Sequence, residues 1–349
     1  MNNYSNAAPP RPCEDDDGDG HPPGADPADP GAGRTRAEAR LMTQVARLYH
    51  EGRLTQSQIA ARLRCSQGTV CRLLKRAERR GIVRVTVSPP QGTFVDLEEL
   101  LERKFGLAQV VVARAGWDDD LPVQAALGAA AAHFLETTLK ARDVIGVGSG
   151  SATLRAMVEQ MHPLWKLYGC RVVQLVGGLG DPAAKEHGPH LVSQLATLTR
   201  GQAHVLAAPG LLESPEAAAA LAQDPQNREA LALFDGLTVA LVGIGAVEPS
   251  GGPAGGHPRF SAAERQALES QGVVGEVCLR FYNARGQAVQ GGPGARAFGL
   301  DAARLRRVPR AVGIAGGKRK RQALLGAVRG RWVNALITDQ FSAEALARA

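Results

Sequence analysis

Between residues 109 and 338 the chain keeps returning to one pattern: a short, almost wholly apolar run, then a longer stretch rich in Ala and Leu. The runs are QVVVAR (109–114), DVIGVG (143–148), RVVQLV (171–176), AHVLAA (203–208), LTVALVGIG (237–245), RAVGIA (310–315) and VNALIT (333–338). Helical stretches lie between most of them, at 121–139, 188–200, 216–234, 261–270 and 318–328. A strand that is apolar on both faces must be covered on both sides, and an intervening helix lets successive strands run parallel. The pattern therefore predicts an α/β class fold, a Rossmann-like parallel sheet with helices on each face. The segment 246–259 (AVEPSGGPAGGHPR) reads as a Gly/Pro-rich loop within it.

The first hundred residues are organised differently. Residues 1–34 carry seven acidic and two basic side chains among Pro, Gly and Asp, too little apolar surface to offset chain entropy, and are expected to form a disordered acidic tail. Residues 35–88 reverse the balance, with twelve basic side chains against three acidic. Charge concentrated in this way is what a phosphate-binding surface requires. Pro89-Pro90 and Gly92 break the chain, so a small basic domain is placed at 35–88, a linker and connecting helix (DLEELLERKFGL) at 89–108, and the larger domain at 109–349. No run approaches the ~18 apolar residues of a membrane helix, and the start lacks the basic-then-apolar order of a secretory signal. A cytoplasmic location with no membrane partner is expected. The five cysteines form no C-x-x-C pair or metal-ligand spacing; free thiols are expected, with no metal and no cofactor.

The basic segment has internal grammar. Ala37, Leu41, Val45 and Leu48 fall on one face of a helix running to His50. In LTQSQIAARLRCSQGTVCRLLKRAERRG, Thr55 and Gln58 stand at capping-box spacing, and Ile59, Ala60 and Leu63 form an inner face. Cys65-Ser66 make a turn, and Ser66 caps a second helix whose Val70, Leu73 and Leu74 face inward. Two short helices joined by a tight turn are a helix-turn-helix, whose second helix offers its N-terminal part to base edges. Gln67, Gly68, Cys71, Arg72 and Lys75 then face outward, Thr69 partly so. Gln67 suits adenine and Arg72 guanine. Lys75, Arg76, Arg79 and Arg80 suit phosphates, which fix register without reading sequence. Candidate DNA contacts are Thr55, Gln56, Ser66, Gln67, Thr69, Arg72, Lys75 and Arg76. IVRVTV (82–87) suggests a wing strand.

In the larger segment, DVIGVGSGSATL ends a strand in Gly146, Gly148 and Gly150, then opens a helix with Ser151 and Thr153. Parallel sheets bind ligands at their carboxyl edge, where helix N-termini offer N–H groups to anions. A tight turn without ligand would have the same composition, and the Gly-Lys-Ser/Thr ending of a Walker A loop is absent. IAGGKRKRQAL (314–324) repeats strand, Gly-Gly, helix, with Lys320 as a point charge for a phosphate. Gly177-Gly178 end a third strand at the same edge, His187 and His190 follow, and Glu276 comes after Gly275 as a candidate acceptor for sugar hydroxyls.

With these residues in view, the chain resembles the SorC family (SorC/DeoR-type) of sugar-responsive transcriptional regulators, from about residue 37 to the end. The stretches that carry the resemblance include LTQSQIAARLRCSQGTVCRLL, DLEELLERKFGL, VIGVGSGSATLRAM, VVQLVGGLG, LAAPGLLESPE, GEVCLRFYNARG and VPRAVGIAGGKRKRQALLGAVRGRWVNALITD. The resemblance implies a winged helix-turn-helix joined to a domain similar to sugar-phosphate isomerases and deaminases, assembled as a homodimer or homotetramer. It implies a phosphate seat at Gly150, Ser151, Ala152 and Thr153, with Lys320, a polar residue near His187, and Glu276. Ala152, Val176 and Asn283 depart from the Thr, Arg and Asp of some relatives, which favours one phosphate or an unphosphorylated sugar or polyol over two phosphates.

The expectation is a DNA-binding regulator, not an enzyme, whose partners are a double-stranded DNA operator and a sugar or sugar-phosphate effector. Effector residues are expected at Gly148, Gly150, Ser151, Thr153, Gly177, Gly178, His187, Glu276 and Lys320. The alternative is a sugar-phosphate isomerase or deaminase with a DNA-binding arm, for which Glu276 and His187 are the candidate bases.

Overall fold

The computed structural model describes residues 30–83, 93–179, 187–247, 260 and 262–349, with backbone alone at 30–36, 187 and 262. Residues 1–29 of the tail expected at 1–34, most of the wing strand and most of the 246–259 loop lie outside the described residues. The chain divides into two compact units, Met1–Ser88 and Pro89–Ala349.

The described residues of the smaller unit form three helices, α1 (Pro30–His50), α2 (Gln56–Leu63) and α3 (Gln67–Arg79). Helix α1 starts inside the stretch read as tail. Its inner face is Met42, Val45 and Ala46, while Leu41 is 39% exposed. The i, i+3, i+4 set is therefore turned by one residue from the expected one. These side chains meet Ile59 and Ala60 of α2 and Val70, Leu73, Leu74 and Ala77 of α3. Fully burying a side chain such as Ile59 contributes about 1.5–3 kcal/mol. Both predicted caps are present: the Thr55 hydroxyl accepts from Gln58 N while the Gln58 side chain accepts from Thr55 N. The Ser66 hydroxyl accepts from Thr69 N at 3.1 Å. Between the helices Arg64 takes left-handed φ (55°), and its N–H reaches back to Ala60 O and Ala61 O, which turns the chain sharply.

The larger unit is built on seven parallel strands in the order β1-β10-β9-β5-β2-β3-β4. They are β1 (Gln109–Ala113), β2 (Val144–Val147), β3 (Arg171–Gln174), β4 (Gln202–His204), β5 (Val239–Gly243), β9 (Arg310–Ile314) and β10 (Ala335–Asp339). Alternate side chains enter opposite cores, as a two-residue period requires. In β5, Val239 and Leu241 pack with Leu127 and Leu135 of α5 (Asp120–Thr138) and Leu154 of α6 (Ala152–Gln160). Ala240 and Val242 face the other layer, with Leu324 and Val328 of α13 (Arg321–Arg329) and Leu346 of α14 (Gln340–Arg348). A second sheet, β6-β7-β8 (Gly245–Ala246, Val273–Val277, Arg280–Asn283), is antiparallel. Among the described residues the remaining α-helices are α7 (His187–Leu198), α8 (Pro215–Leu221), α9 (Pro225–Ala232), α10 (Ala262–Ser270), α11 (Gly292–Ala295) and α12 (Ala302–Leu305).

One boundary differs from the sequence reading. The segment 89–108 is expected to be a linker and connecting helix, but α4 (Val95–Phe105) is built into the larger unit. Leu101 is fully buried in its core, and Lys104 Nζ donates to Ala347 O at 2.8 Å. Glu98 and Glu102 accept from Val112 N and Val110 N, both at 2.8 Å. Two carboxylates thus satisfy the open edge of β1, where an unpaired N–H row would invite another strand.

Among the described residues Cys65, Cys170 and Cys278 are free thiols, as expected. Among the described residues no helix is long and apolar enough to cross a membrane, and no His/Cys/Asp/Glu group has metal-binding geometry.

Candidate functional site

Helix α3 separates its faces sharply. Val70, Leu73, Leu74 and Ala77 are buried, while Gln67, Gly68, Arg72, Arg76, Arg79 and Arg80 are exposed and Thr69 and Lys75 half-exposed. Cys71 departs from the expected outward pattern: it is only 8% exposed. Thr55 and Ser66 are exposed, and both hydroxyls are engaged in caps. Gln56 is half-exposed at the head of α2. Gln67 Oε1 lies 3.4 Å from the Ser57 hydroxyl, a contact that orients the amide on the open face. Arg76 forms an ion pair with Glu38 of α1, so it ties two helices together. Among the described residues, Arg72, Arg79 and Arg80 of this face form no ion pair.

In the larger unit a pocket opens at the carboxyl edge of the parallel sheet. The turn after β2 supplies Gly148 through Thr153, and the ends of β5 and β6 supply Gly243 through Ala246. The β7–β8 hairpin adds Glu276, Cys278 and Leu279; the turn after β9 adds Gly316, Arg319 and Lys320; α5 adds Asp120 and Gln124. The β2 turn is held from several sides. Gly148 N donates to Leu241 O (2.8 Å), and the Ser149 hydroxyl donates to Val176 O (3.1 Å). Fully buried Gln174 donates to both Ser149 Oγ and Val176 O while accepting from Leu206 N. Gly150 has φ of +72°, which leads into the Ser151 cap of α6, whose hydroxyl accepts from Leu154 N. The helix therefore points its N-terminus into the pocket, an arrangement suited to an anion.

Lys320 and Arg319, on a 3₁₀ turn (Lys318–Lys320), line the same pocket as that helix end. Loss of water around the Lys320 ammonium pulls its pKa below the usual lysine value, and the charges of Glu276 and Asp120 partly restore it. Glu276 Oε2 accepts from Leu279 N at 2.8 Å, which closes the hairpin. The two hairpin residues, Cys278 and Leu279, both have positive φ (52° and 60°), the conformation of a two-residue turn that usually holds Gly or Asn. Burial, reinforced by the Glu276 charge, pushes the Cys278 thiol up to about 12 against the lowering effect of Arg280. Arg280 donates to the carbonyls of Leu300, Gly294, Ala297 and Gly299, so it organises the backbone behind the hairpin.

Six of the nine expected effector residues line this one pocket: Gly148, Gly150, Ser151, Thr153, Glu276 and Lys320. Gly177 and Gly178 do not. Their N–H groups bond Phe298 O and Ala208 O, and a Cβ at Gly177 would run into Ala208 O and Pro209 O. These glycines admit a neighbouring chain segment and do not line the pocket. His187 begins α7, with its side chain outside the described residues. The next residue, Gly188, lies against Ser149 and Gln174. Sequence reasoning missed Asp120, Gln124, Ser149 and Arg319. Asp120 carried a usable signal, since it opens a helix following a strand of the same sheet. Val176 lines the pocket, and Asn283 accepts from Arg285 N and Gln287 N in its own turn.

Comparison with known proteins agrees with this division. The MarR_2 family model (MarR family) matches residues 32–92, and the Sugar-bind model, a sugar-binding domain, matches residues 90–348. A winged helix-turn-helix followed by a parallel-sheet sugar-binding domain defines a class, the DNA-binding transcriptional regulators of carbohydrate genes. The chain belongs to the SorC family within that class. It is 31% identical to the sorbitol operon regulator of Klebsiella pneumoniae over 88% of this chain and 98% of the relative. It is 28% identical to the deoxyribonucleoside regulator of Bacillus subtilis over 89% and 98%. The crystal structure of the full-length sorbitol operon regulator SorC from Klebsiella pneumoniae superposes with a TM-score of 0.68 at 30% identity, covering 89% of this chain and 99% of that one.

Proposed function

We propose that this chain is an operator-binding regulator whose affinity for DNA is set by one sugar or sugar-phosphate effector held at the carboxyl edge of the sheet. The observation that carries the reading is the convergence of Ser151, Thr153, Glu276 and Lys320 on one pocket from three separate turns. The α6 N-terminus and Lys320 with Arg319 suit a single phosphate, and Asp120, Glu276 and Gln124 suit the hydroxyls of a sugar. Val176 in place of a cation favours one phosphate over two. On DNA, Gln67 and Arg72 read bases and Arg79 and Arg80 hold phosphates, while Arg76 braces the domain through Glu38.

The reading is of binding without turnover, in a cytoplasmic homodimer or homotetramer. Of the two candidate bases, Glu276 already spends one oxygen on Leu279 N. A thermal-shift panel of sugars and sugar phosphates, followed by gel-shift on the promoter beside its own gene, tests it. Ligand that binds only the folded state raises the melting temperature. A flat panel together with operator affinity indifferent to every compound would reject effector control; turnover of ribose or glucosamine phosphates would favour the enzyme.

A further inference from the structure

At the end of β10, Asp339 is fully buried, with no cation paired to its carboxylate among the described residues. Its two oxygens are divided. Oδ1 accepts from Ser342 N at 2.9 Å and caps α14, and Oδ2 accepts from Gly317 N at 2.9 Å. The equally buried Ser342 hydroxyl accepts from the same Gly317 N–H at 3.0 Å. Gly316 leaves room for this grip, since a Cβ there would overlap Oδ2. Gly317 has φ of +91°, and its carbonyl receives Lys320 N at 3.0 Å, which starts the turn carrying Arg319 and Lys320 into the pocket.

We infer that Asp339 is a positioning residue for anion binding: through Gly317 it fixes the turn that holds Lys320 in the pocket it shares with the α6 N-terminus. A buried charge costs free energy unless its oxygens are satisfied, so the carboxylate locks both donors in place. The sheet edge then acts as one rigid frame for the ammonium, and a loose frame forfeits affinity even when the contacting side chain is intact. This rests on the effector reading above, because it presumes that Lys320 meets an anion.

Lysine acetylation by a small reagent, followed residue by residue by mass spectrometry on the full chain, tests it with inorganic phosphate as the probe. In the wild type, phosphate is expected to protect Lys320 while Lys104 and Lys318 react as before. Asp339→Asn keeps a good helix cap, but either amide orientation sets a donor against Gly317 N–H or Ser342 N–H. The phosphate concentration giving half protection should rise about tenfold, the scale seen when outer-shell support of a ligand site is removed. Ser342→Ala, which deletes only the second acceptor, should shift it in the same direction by less and decides the matter if Asp339→Asn fails to fold. Wild-type protection that persists unchanged in both variants overturns the role of Asp339. Lack of protection in the wild type overturns the anion-binding reading of Lys320 itself, and this inference with it.

Discussion

Gly245 and Glu276 face each other across the β6–β7 ladder, and the missing side chain at Gly245 is what leaves room for the Glu276 carboxylate. A methyl group at Gly245 would overlap Oε1 while Oε2 is held by Leu279 N. Gly245→Ala must therefore push the carboxylate out or open the hairpin. Overpacking of this kind costs about 1–3 kcal/mol. Denaturant unfolding should show that loss, and any compound that stabilises the wild type in the thermal-shift panel should stabilise the variant less.

The exposed face of α3 makes a graded prediction. Arg72→Ala and Gln67→Ala should each weaken operator binding by about 1–3 kcal/mol and relax preference at one base position. Arg79→Ala or Arg80→Ala should weaken operator and scrambled DNA alike, lowering the salt slope by about 1 for each phosphate no longer neutralised. Fluorescence anisotropy against both duplexes at several salt concentrations separates the two behaviours.

Caps contribute to the smaller domain beyond its core. Ser66→Ala removes the acceptor for Thr69 N and should cost about 0.5–2 kcal/mol, with Thr55→Ala in the same range. Helical circular dichroism during urea unfolding is the measurement; midpoints identical to wild type would mean that water replaces these caps at no cost.

The hairpin cysteine gives a pH-dependent signature. Its thiol ionises near 9.0 when unconstrained and at about 12 in the fold, so between those values the native state holds a proton that the unfolded chain releases. Stability from this group is complete below pH 9 and declines as pH rises toward 12. Cys278→Ser should flatten that part of the profile. Native alkylation at about pH 8 should leave Cys278 largely unmodified, because thiolate is the reactive form.

Gly177→Ala should lower the melting temperature, since the added carbon meets the carbonyls of Ala208 and Pro209. Its effect on effector affinity should be small beside that of Lys320→Met. An equal loss of affinity in both variants would return Gly177 to the binding surface.

The contrast among these residues explains what could be read in advance. Thr55, Ser66 and the Val70-Leu73-Leu74 stripe were legible because capping and helical periodicity are local, set within four residues. The strands were legible because two buried faces leave an unbroken apolar run. The inner face of α1 was misplaced by one position, because Leu41 and Met42 are equally apolar and only packing against α2 and α3 chooses between them. Gly150 and Gly177 look alike in sequence; whether a ligand or another stretch of backbone approaches them is a long-range fact. Asp120 and Arg319 join the pocket from turns about two hundred positions apart, a proximity created by the sheet order and by no local pattern.

That sheet order also governs the timetable of folding. β1, first to leave the ribosome among the strands of this unit, sits at the sheet margin with β10 as its neighbour, and β10 ends ten residues before Ala349. Until translation has passed β10, the early strand has no native partner. In the folded structure Glu98 and Glu102 on the adjoining helix occupy its amides, contacts local in sequence that need no strand made later.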